Sequence, residues 1–466
     1  MAKIAFYALG YDVSSAIDLI SYFDESTLVQ SSSSQVTVDS ISFRFIVTGT
    51  GLVASGTGGG VQLTGGTITQ IRVRGFGPES SSPIFTISDL NEPSSLLTGE
   101  IWKNLYALDW FFEGGPNSDT FGSSWHTGDI TIHLHAGSDV GSGSSGNDTI
   151  YGGSGDDRLY GQGGADLLYG GKDGGSLFGG EGEDRIHVED GWAEVFAGSG
   201  NDRIWAGSTP MAADLHGDAG NDTFYFGVGS NMAYGGAGND WFNGGSGYLH
   251  ARGGDGDDRM DGGGWVDLLQ GEAGNDLIIG GTGEDCLFGG AGQDKVLGGS
   301  ENDILSGGFQ NDNLAGDAGM DTLAGDSGDD QLRGGTGDDE LRSGTGNDRL
   351  IGGAGKDLLF GGGDDKGDHF VFDWRSDSRV GGGRDLIFNF TKGSDTIDLE
   401  GIDCRPASDV DNDFAWSGKT SANYSVWFEV VELGILVRAD VTGDAKADFE
   451  VLVKGLTSIS SGDFDL

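Results

Sequence analysis

One aspartate returns every nine residues from Asp258 to Asp357, and an apolar residue stands two places after each. The register reaches back through Asp202, Asp184, Asp166, Asp157 and Asp148, is set over by two residues between Asp202 and Asp222, and resumes at Asp240. The unit reads Gly-Gly-x-Gly-x-Asp, then x-U-x with U apolar. Copies are "GGSGDDRLY" from Gly152, "GGEGEDRIH" from Gly179, "GGAGNDWFN" from Gly235, "GGTGEDCLF" from Gly280 and "GGAGKDLLF" from Gly352. A disordered acidic tail has no need of an apolar residue at a fixed offset from its aspartates. The chain is a repeat array, and the repeat must be read first.

Each nonapeptide divides into a turn and a strand. The glycines of the first half supply positive φ and close backbone approach without steric penalty. The x-U-x half is a very short strand whose central side chain points inward. Two nonapeptides form one coil, and stacked coils form a parallel β-roll with a thin apolar core. Two buried side chains per coil are a weak return for ordering both nonapeptides.

Stacking also brings every second aspartate of the register to neighbouring coils, near the ~4.8 Å strand spacing. Their repulsion is roughly 1 kcal/mol per pair in water and several times more when partly buried. A hard divalent cation reverses that sign. Calcium takes six to eight oxygens in flexible geometry, whereas the motif lacks the nitrogen and sulfur that zinc or copper prefers. The candidate calcium ligands are Asp148, Asp157, Asp166, Asp184, Asp202, Asp222, Asp240, Asp258, Asp267, Asp276, Asp285, Asp294, Asp303, Asp312, Asp321, Asp330, Asp339, Asp348 and Asp357. Main-chain carbonyls of Gly153, Gly155, Gly180, Gly182, Gly236, Gly238, Gly254, Gly256, Gly281, Gly283, Gly290, Gly292, Gly335, Gly337, Gly353 and Gly355 complete the set.

Over about residues 141–363 these units resemble the glycine-rich nonapeptides of the repeats-in-toxin (RTX, haemolysin-type) family. That resemblance implies a calcium-bound parallel β-roll, export by a type I apparatus as an unfolded chain, and folding in extracellular calcium. The net charge of −48 agrees, since such a chain stays expanded where calcium is scarce. The same charge excludes nucleic acid as a partner, because phosphate contacts need clustered Lys and Arg.

The register fails on one edge of the first half. Asp157 is followed, at steps of two nonapeptides, by Gly175 and Ala193; Asn231 and Leu249 precede the recovery at Asp267, and "STPMAA" (208–213) is inserted between. Trp192, Met211, Met232, Tyr248, His250 and Trp265 stand in or beside the lost turns. Nearby Asp+3 positions are aromatic too: Tyr151, Tyr160, Tyr169, Phe178, Phe196, Trp205, Tyr225 and Tyr234. Packing of filler or of the N-terminal domain is one reading. A contact face for a glycan or a cell-surface partner is the other, because aromatics present area at small entropic cost.

We divide the chain into an N-terminal β-rich domain (1–138), the roll (139–363) and a C-terminal cap (364–466). In the first, "SISFRFIVTG", "GGVQLTGGTITQIRVRGF", "SPIFTISDL" and "GDITIHLHAG" alternate like strands between turn residues. A small β-sandwich is expected, with one short helix near "LLTGEIWKNLYALDWFF". His133 and His135 are expected on one strand face.

The cap resembles the C-terminal module of serralysin-type secreted proteins through "RDLIFNFTKGSDTIDLEGID" (384–403) and "VRADVTGDAKADFEVLVKGL" (437–456). In that family the module closes the roll and carries an uncleaved export signal. Asp440, Asp444 and Asp448 are read as a solvated loop.

The fold class is therefore all-β throughout, and the location expected is secreted or extracellular. No apolar run reaches the ~20 residues of a membrane helix. The N-terminus lacks a cleavage site and is not read as a secretory signal. Cys286 and Cys404 are read as unpaired thiols, since two cysteines make no disulfide framework.

No histidine is followed by Glu, so the serralysin zinc-protease motif is missing, and there is no G-x-S-x-G elbow. The primary functional reading is a non-enzymatic calcium-binding protein acting at a surface or in a matrix. The alternative is an extracellular carbohydrate-active enzyme (lyase, hydrolase or epimerase type) with its chemistry in the N-terminal domain.

Overall fold

The structure, a computed structural model, describes residues 127–207, 213–402 and 414–466, with Ser118, residues 120–122 and the backbone of strands lying within residues 3–113. Two compact units divide the chain, Met1–Phe224 and Tyr225–Leu466.

In the first unit, Lys3–Phe6, Phe85–Pro93, Thr67–Gly75, Phe43–Thr50, Gln35–Asp39 and Thr27–Ser32 form one antiparallel sheet in that order. Each quoted strand segment contributes a strand. Among the described residues, the strands before residue 94 lie in this sheet and the small Ala54–Ser55/Gln62–Leu63 pair, while the Ile130–His133 strand joins the roll. The expected helix is corrected at its end. Trp110–Glu113 is a strand running parallel to Ile130–His133, as an aromatic run beside an available strand edge favours. Residues 94–109 lie outside the described residues.

From Ile130 the chain winds into the roll. In the first unit, Ile130–His133, Thr149–Ser154, Leu167–Lys172, Arg185–Val188 and Arg203–Ala206 form one parallel sheet. Val140–Ser142, Asp157–Gly163, Gly174–Glu181, Trp192–Ser199 and Ala213–Ala219 form the other. Partners stand two nonapeptides apart, as in Ile150↔Leu168 and Leu159↔Leu177, and the lost positions Gly175 and Ala193 pair with each other. Across the insertion Ala193 pairs with Ala213, two residues further on than the regular step.

The second unit repeats the pattern through strands such as Leu277–Thr282, Cys286–Ala291 and Lys295–Ser300. These strands are twice as long as the x-U-x segment expected. They run on through the first three positions of the next motif, because the first glycine is not in the left-handed region and extends the strand. Positive φ is confined largely to the second and fourth motif positions, as at Gly281 (107°) and Gly283 (129°). Where glycine is missing there, the backbone keeps the bend: Asp317 at a second position has φ 70°, and Trp265 at a fourth has φ 75°. Each such residue carries roughly 1–2 kcal/mol of strain.

The core is one apolar side chain per strand. Ile278, Leu287, Val296, Leu314, Leu323 and Leu350 are fully buried, as are Ile150, Leu159, Leu168 and Ile186 in the first unit. Coiling continues beyond residue 363, where Leu358–Phe360 pairs with Asp385–Phe388 and His369–Val371 with Thr396–Asp398. Antiparallel strands Ser425–Val431, Gly434–Ala439 and Phe449–Lys454 then close the end over a thicker core of Phe370, Phe372, Ile387, Val437, Phe449 and Val451. Cys286 is a free, half-buried thiol; Cys404 lies outside the described residues. No helix among the described residues is long and apolar enough to cross a membrane.

Candidate metal centre

Every aspartate of the sequence register is buried, none more than 3% exposed. They use one carboxylate oxygen to reach back one coil along both edges. Asp166 Oδ1 accepts the Asp148 N–H (2.7 Å), Asp184 that of Asp166 (2.7 Å), and Asp202 that of Asp184 (2.7 Å). The insertion is absorbed by Asp222, which takes the Asp202 N–H at 2.8 Å over 20 residues. Along the second unit one edge runs Asp258–Asp276–Asp294–Asp312–Asp330–Asp348, the other Asp267–Asp285–Asp303–Asp321–Asp339–Asp357, with bonds of 2.7–2.9 Å. Where the aspartate is lost at Leu249, Asp267 still accepts the Leu249 N–H (2.7 Å).

The other oxygen accepts the Ser144 N–H at Asp148 but has no such use along most of the register. Oδ2 of Asp157, Asp166, Asp184 and Asp202, and of all those from Asp258 to Asp357, is buried without a hydrogen-bond partner. Burial is the first cause that pushes these carboxyls up, to about 8 at Asp166 and Asp267 and about 7 at Asp184, Asp258, Asp276, Asp303, Asp312, Asp330 and Asp357. The backbone N–H bond to Oδ1 lowers them, and neighbouring ladder carboxylates at most of these positions raise them again. A row of buried carboxylates with one idle oxygen each lacks a counter-charge.

The space at the idle oxygen is kept open by the first glycine of the motif. A Cβ on Gly152 would sit 2.5 Å from Asp157 Oδ2 and 2.6 Å from the Gly170 carbonyl of the next coil. Gly161, Gly235, Gly262, Gly280 and Gly334 show the same convergence, each with its own aspartate's Oδ2 and a carbonyl one coil on. Among the described residues no three His, Cys, Asp or Glu side chains converge as a metal cluster. A cation here must draw main-chain carbonyls into its shell, and an all-oxygen set of carboxylate and carbonyl fits calcium.

Of the glycines named from sequence, all but Gly355 have positive φ. Carbonyls of Gly153, Gly180, Gly182, Gly236, Gly238, Gly256, Gly281, Gly290, Gly335 and Gly337 lie against the matching glycine backbone one coil on. The first-position carbonyls, such as Gly170, Gly280 and Gly352, were missed. Their signal was the near-constant glycine at a position whose φ does not demand one.

A second ladder was missed as well. Where the residue before a ladder aspartate is Asn or Asp, it can reach forward instead of back. Asn147 Oδ1 accepts the Ala165 N–H, Asn275 that of Gln293, Asn311 that of Asp329, and Asp329 that of Asn347, all at 2.8–2.9 Å. Recurrence of Asn or Asp at this place was the available sign, since a short side chain with an acceptor oxygen spans one coil spacing.

Both aspartate edges also run on at the C-terminal end. Asp368, Asp385 and Asp395 accept the N–H groups of Asp348, Asp357 and Asp368 (2.8–3.1 Å). Spacings of 20, 28 and 27 hid them, although Phe370, Ile387 and Ile397 keep the apolar residue two places on. Asp385 is fully buried, its Oδ2 unpartnered and its carboxyl pushed up to about 9. The Asp440–Asp448 loop is held by its own hydrogen bonds: Asp440 accepts from Gly443 and Ala445 N–H, Asp448 from Val441 and Thr442.

The aromatic Asp+3 side chains stack in two half-buried columns of the first unit. His133, Tyr151, Tyr169, His187 and Trp205 follow one another at 4.4–4.8 Å between ring centroids; Tyr160, Phe178, Phe196 and His216 follow at 4.7–5.4 Å. His133 ends its strand and His135 lies beyond it at φ 73°, with the two ring centroids 6.2 Å apart and tilted. Of the candidate partner residues, Trp192 is exposed in the first unit. In the second, Met232, Tyr248 and Trp265 are exposed, and His250 is half-buried beside Met232 in register. Met211 lies outside the described residues.

In comparison with known families, segments from 133–168 to 333–365 match the RTX calcium-binding nonapeptide repeat. No curated protein matches the chain. Among solved structures, the solution structure of the AlgE6R3 subunit from the Azotobacter vinelandii mannuronan C5-epimerase is 22% identical, covering 36% of this chain and 78% of that one, with a TM-score of 0.24.

Proposed function

Since the chain is an RTX-type repeat protein with multiple calcium ions as its cofactor, we propose that it is secreted, folds when it meets extracellular calcium, and serves as a binding or structural protein at a surface or in a matrix. One observation carries the reading: rows of buried Asp Oδ2 atoms without a partner, most of them converging with a carbonyl of the next coil on the space at the first motif position. Calcium bound there supplies the positive charge that the fold itself does not provide. The ladder aspartates present Oδ2 to it, the first glycines leave room for it, and their carbonyls complete an oxygen shell. Roll and cation then fold as one system, because the site does not exist in the unfolded chain. In this proposal the C-terminal region carries the export information for a type I apparatus, in keeping with its serralysin-like segments.

Calcium titration of the full chain, followed by far-UV circular dichroism, tests the reading. β-structure should appear with a midpoint in the roughly high-micromolar to millimolar range of extracellular modules. Retention of the full β signal in excess EGTA at pH 8 would refute it. Removing two stacked ligands, Asp285→Asn with Asp303→Asn, should lower the number of calcium ions bound by calorimetry.

A further inference from the structure

The arginines of the second unit are mostly spoken for. Arg252, Arg333, Arg342, Arg349, Arg384 and Arg438 each pair with an Asp or Glu. In the first unit Arg185 and Arg203 are different. They face each other in register on adjacent parallel strands, both outward and exposed, and among the described residues neither guanidinium has an ion-pair or hydrogen-bond partner. Like charges one coil apart repel. A chain with 74 acidic residues has carboxylates to spare, and Glu189 acts on His187 nearby, yet among the described residues none forms an ion pair with either arginine. Arg259 is also unpaired among the described residues, but it stands between Trp241 and Leu277 in its column rather than beside another cation.

Beside the two arginines runs the stack Tyr169–His187–Trp205, with centroids 4.7 and 4.4 Å apart and planes within 13° of parallel. Tyr169 pairs in register with His187, and His187 with Trp205, on the strands that carry Leu167, Arg185 and Arg203. Stacked this closely, the rings cover one another's faces, so a sugar ring cannot lie flat on them. What they offer instead is their rims, the positive edges of the ring quadrupoles, together with phenol, imidazole and indole polar atoms. Burial lowers the pKa of His187, so at neutral pH it is a neutral hydrogen-bonding group, not a third cation. The face therefore repeats donors and positive edges along the roll axis, with two guanidinium forks at one end.

We infer that this face of the first unit, centred on Arg185, Arg203 and the Tyr169–His187–Trp205 rims, docks an extended acidic polysaccharide whose uronate carboxylates pair with the arginines and whose hydroxyls meet the rims. The inference names a partner for the surface role proposed above and rests on that reading. Carboxylate is the planar anion that a guanidinium fork matches. A uronate chain presents one planar carboxylate per sugar, whereas duplex nucleic acid presents a phosphate charge per about 1.7 Å, a density that a chain of −48 repels more strongly.

The test uses the full chain with free calcium held constant by a buffer, a short oligogalacturonate as probe, and neutral dextran oligomers as control, read by calorimetry. Oligogalacturonate should bind, weaken with added salt, and lose about tenfold or more in affinity in Arg185→Ala/Arg203→Ala. The Arg185→Lys/Arg203→Lys pair should keep the charge but lose part of the affinity. Circular dichroism against calcium should be unchanged in both variants, which separates lost docking from lost folding.

Undiminished binding in the alanine pair would assign the affinity to calcium bridging at the acidic turns and overturn the inference. Equal binding of dextran, or equal competition by single-stranded DNA, would overturn it too. A calcium-folded parent chain that binds no oligogalacturonate defeats the docking face and leaves the calcium reading standing; a chain that ignores calcium defeats the reading beneath it.

Discussion

Replacing Gly152 by alanine asks whether the first glycine is there for room or for freedom. Its backbone is not in the left-handed region, so an alanine has no conformational objection to the site. The objection is space. The new Cβ would lie 2.5 Å from Asp157 Oδ2 and 2.6 Å from the Gly170 carbonyl, where contact requires roughly 3.3 Å. The carboxylate must retreat by about 0.8 Å, and its Oδ1 then loses the Asp139 N–H now held at 2.9 Å. Overpacking costs about 1–3 kcal/mol and an abandoned buried hydrogen bond about 1–3, so the net should fall near 2–6 kcal/mol. Gly163 is the control. Its φ is also ordinary, and the nearest atoms to its Cβ are 3.8 and 3.9 Å away, so Gly163→Ala should be neutral or stabilise by about 0.4–1 kcal/mol. Urea unfolding at fixed free calcium measures stability, and calorimetry counts the calcium bound. If Gly152→Ala matches the parent in both, or if Gly163→Ala is equally harmful, the close-approach argument is wrong.

Without calcium the ladder carboxyls sit at about 6–8 in the folded chain against 3.8 unfolded, so the folded state binds protons more tightly. Stability of the calcium-free roll is then greatest near and below pH 4 and falls as pH rises through about 6–8. Even at about 1 kcal/mol per carboxylate, more than a dozen together match the ~5–15 kcal/mol of an ordinary domain. Circular dichroism in EGTA should show more β-structure at pH 5 than at pH 8; a flat profile contradicts the ladder electrostatics. Asn275→Ala removes the acceptor of the Gln293 N–H and should cost about 0.5–1.5 kcal/mol without altering calcium stoichiometry, whereas Asp276→Asn next to it should lower that stoichiometry. Deleting residues 414–466 uncovers Phe372 and Ile387 and removes the strand paired with Asp385–Phe388, and should raise the calcium midpoint of folding more than tenfold in the same titration.

Most of the roll could be read from the sequence because one side chain type performs one geometric task at a fixed interval. Asp+2 is apolar because it faces inward, and Asp is constant because its Oδ1 holds the backbone of the preceding coil. The parts that could not be read are those where spacing or chain direction changes. Asp368, Asp385 and Asp395 perform the same task at irregular intervals, and an interval search passes over them. The paired acids looked alike in sequence although one reaches forward, exposed, and the other backward, buried. The expectation of a helix near residues 96–112 misses the strand Trp110–Glu113, because a strand paired to a partner distant in sequence leaves no local period. The stacked aromatics were visible as a run, but only the register showed that their faces are closed and their rims open.

The two ladders also explain why the array needs its own irregularities. At many junctions an aspartate bonds backward and its neighbour bonds forward, as Asp294 to the Asp276 N–H and Asn275 to the Gln293 N–H. That pair fixes the register of one coil on the next. It does not fix which coil is next, because a slip of one whole coil places identical motifs over identical motifs. A perfect repeat would therefore stack in several nearly equal ways. The positions that break the motif remove this degeneracy: the 20-residue step at Asp202–Asp222, the Gly175–Ala193 pair without its aspartate, and the aromatic columns that stack ring on ring only in one alignment. At the far end the 28- and 27-residue steps to Asp385 and Asp395 admit one partner each. Metal-rich regularity supplies the stability once calcium arrives, and the metal-poor interruptions decide which of the equivalent stacks that stability selects.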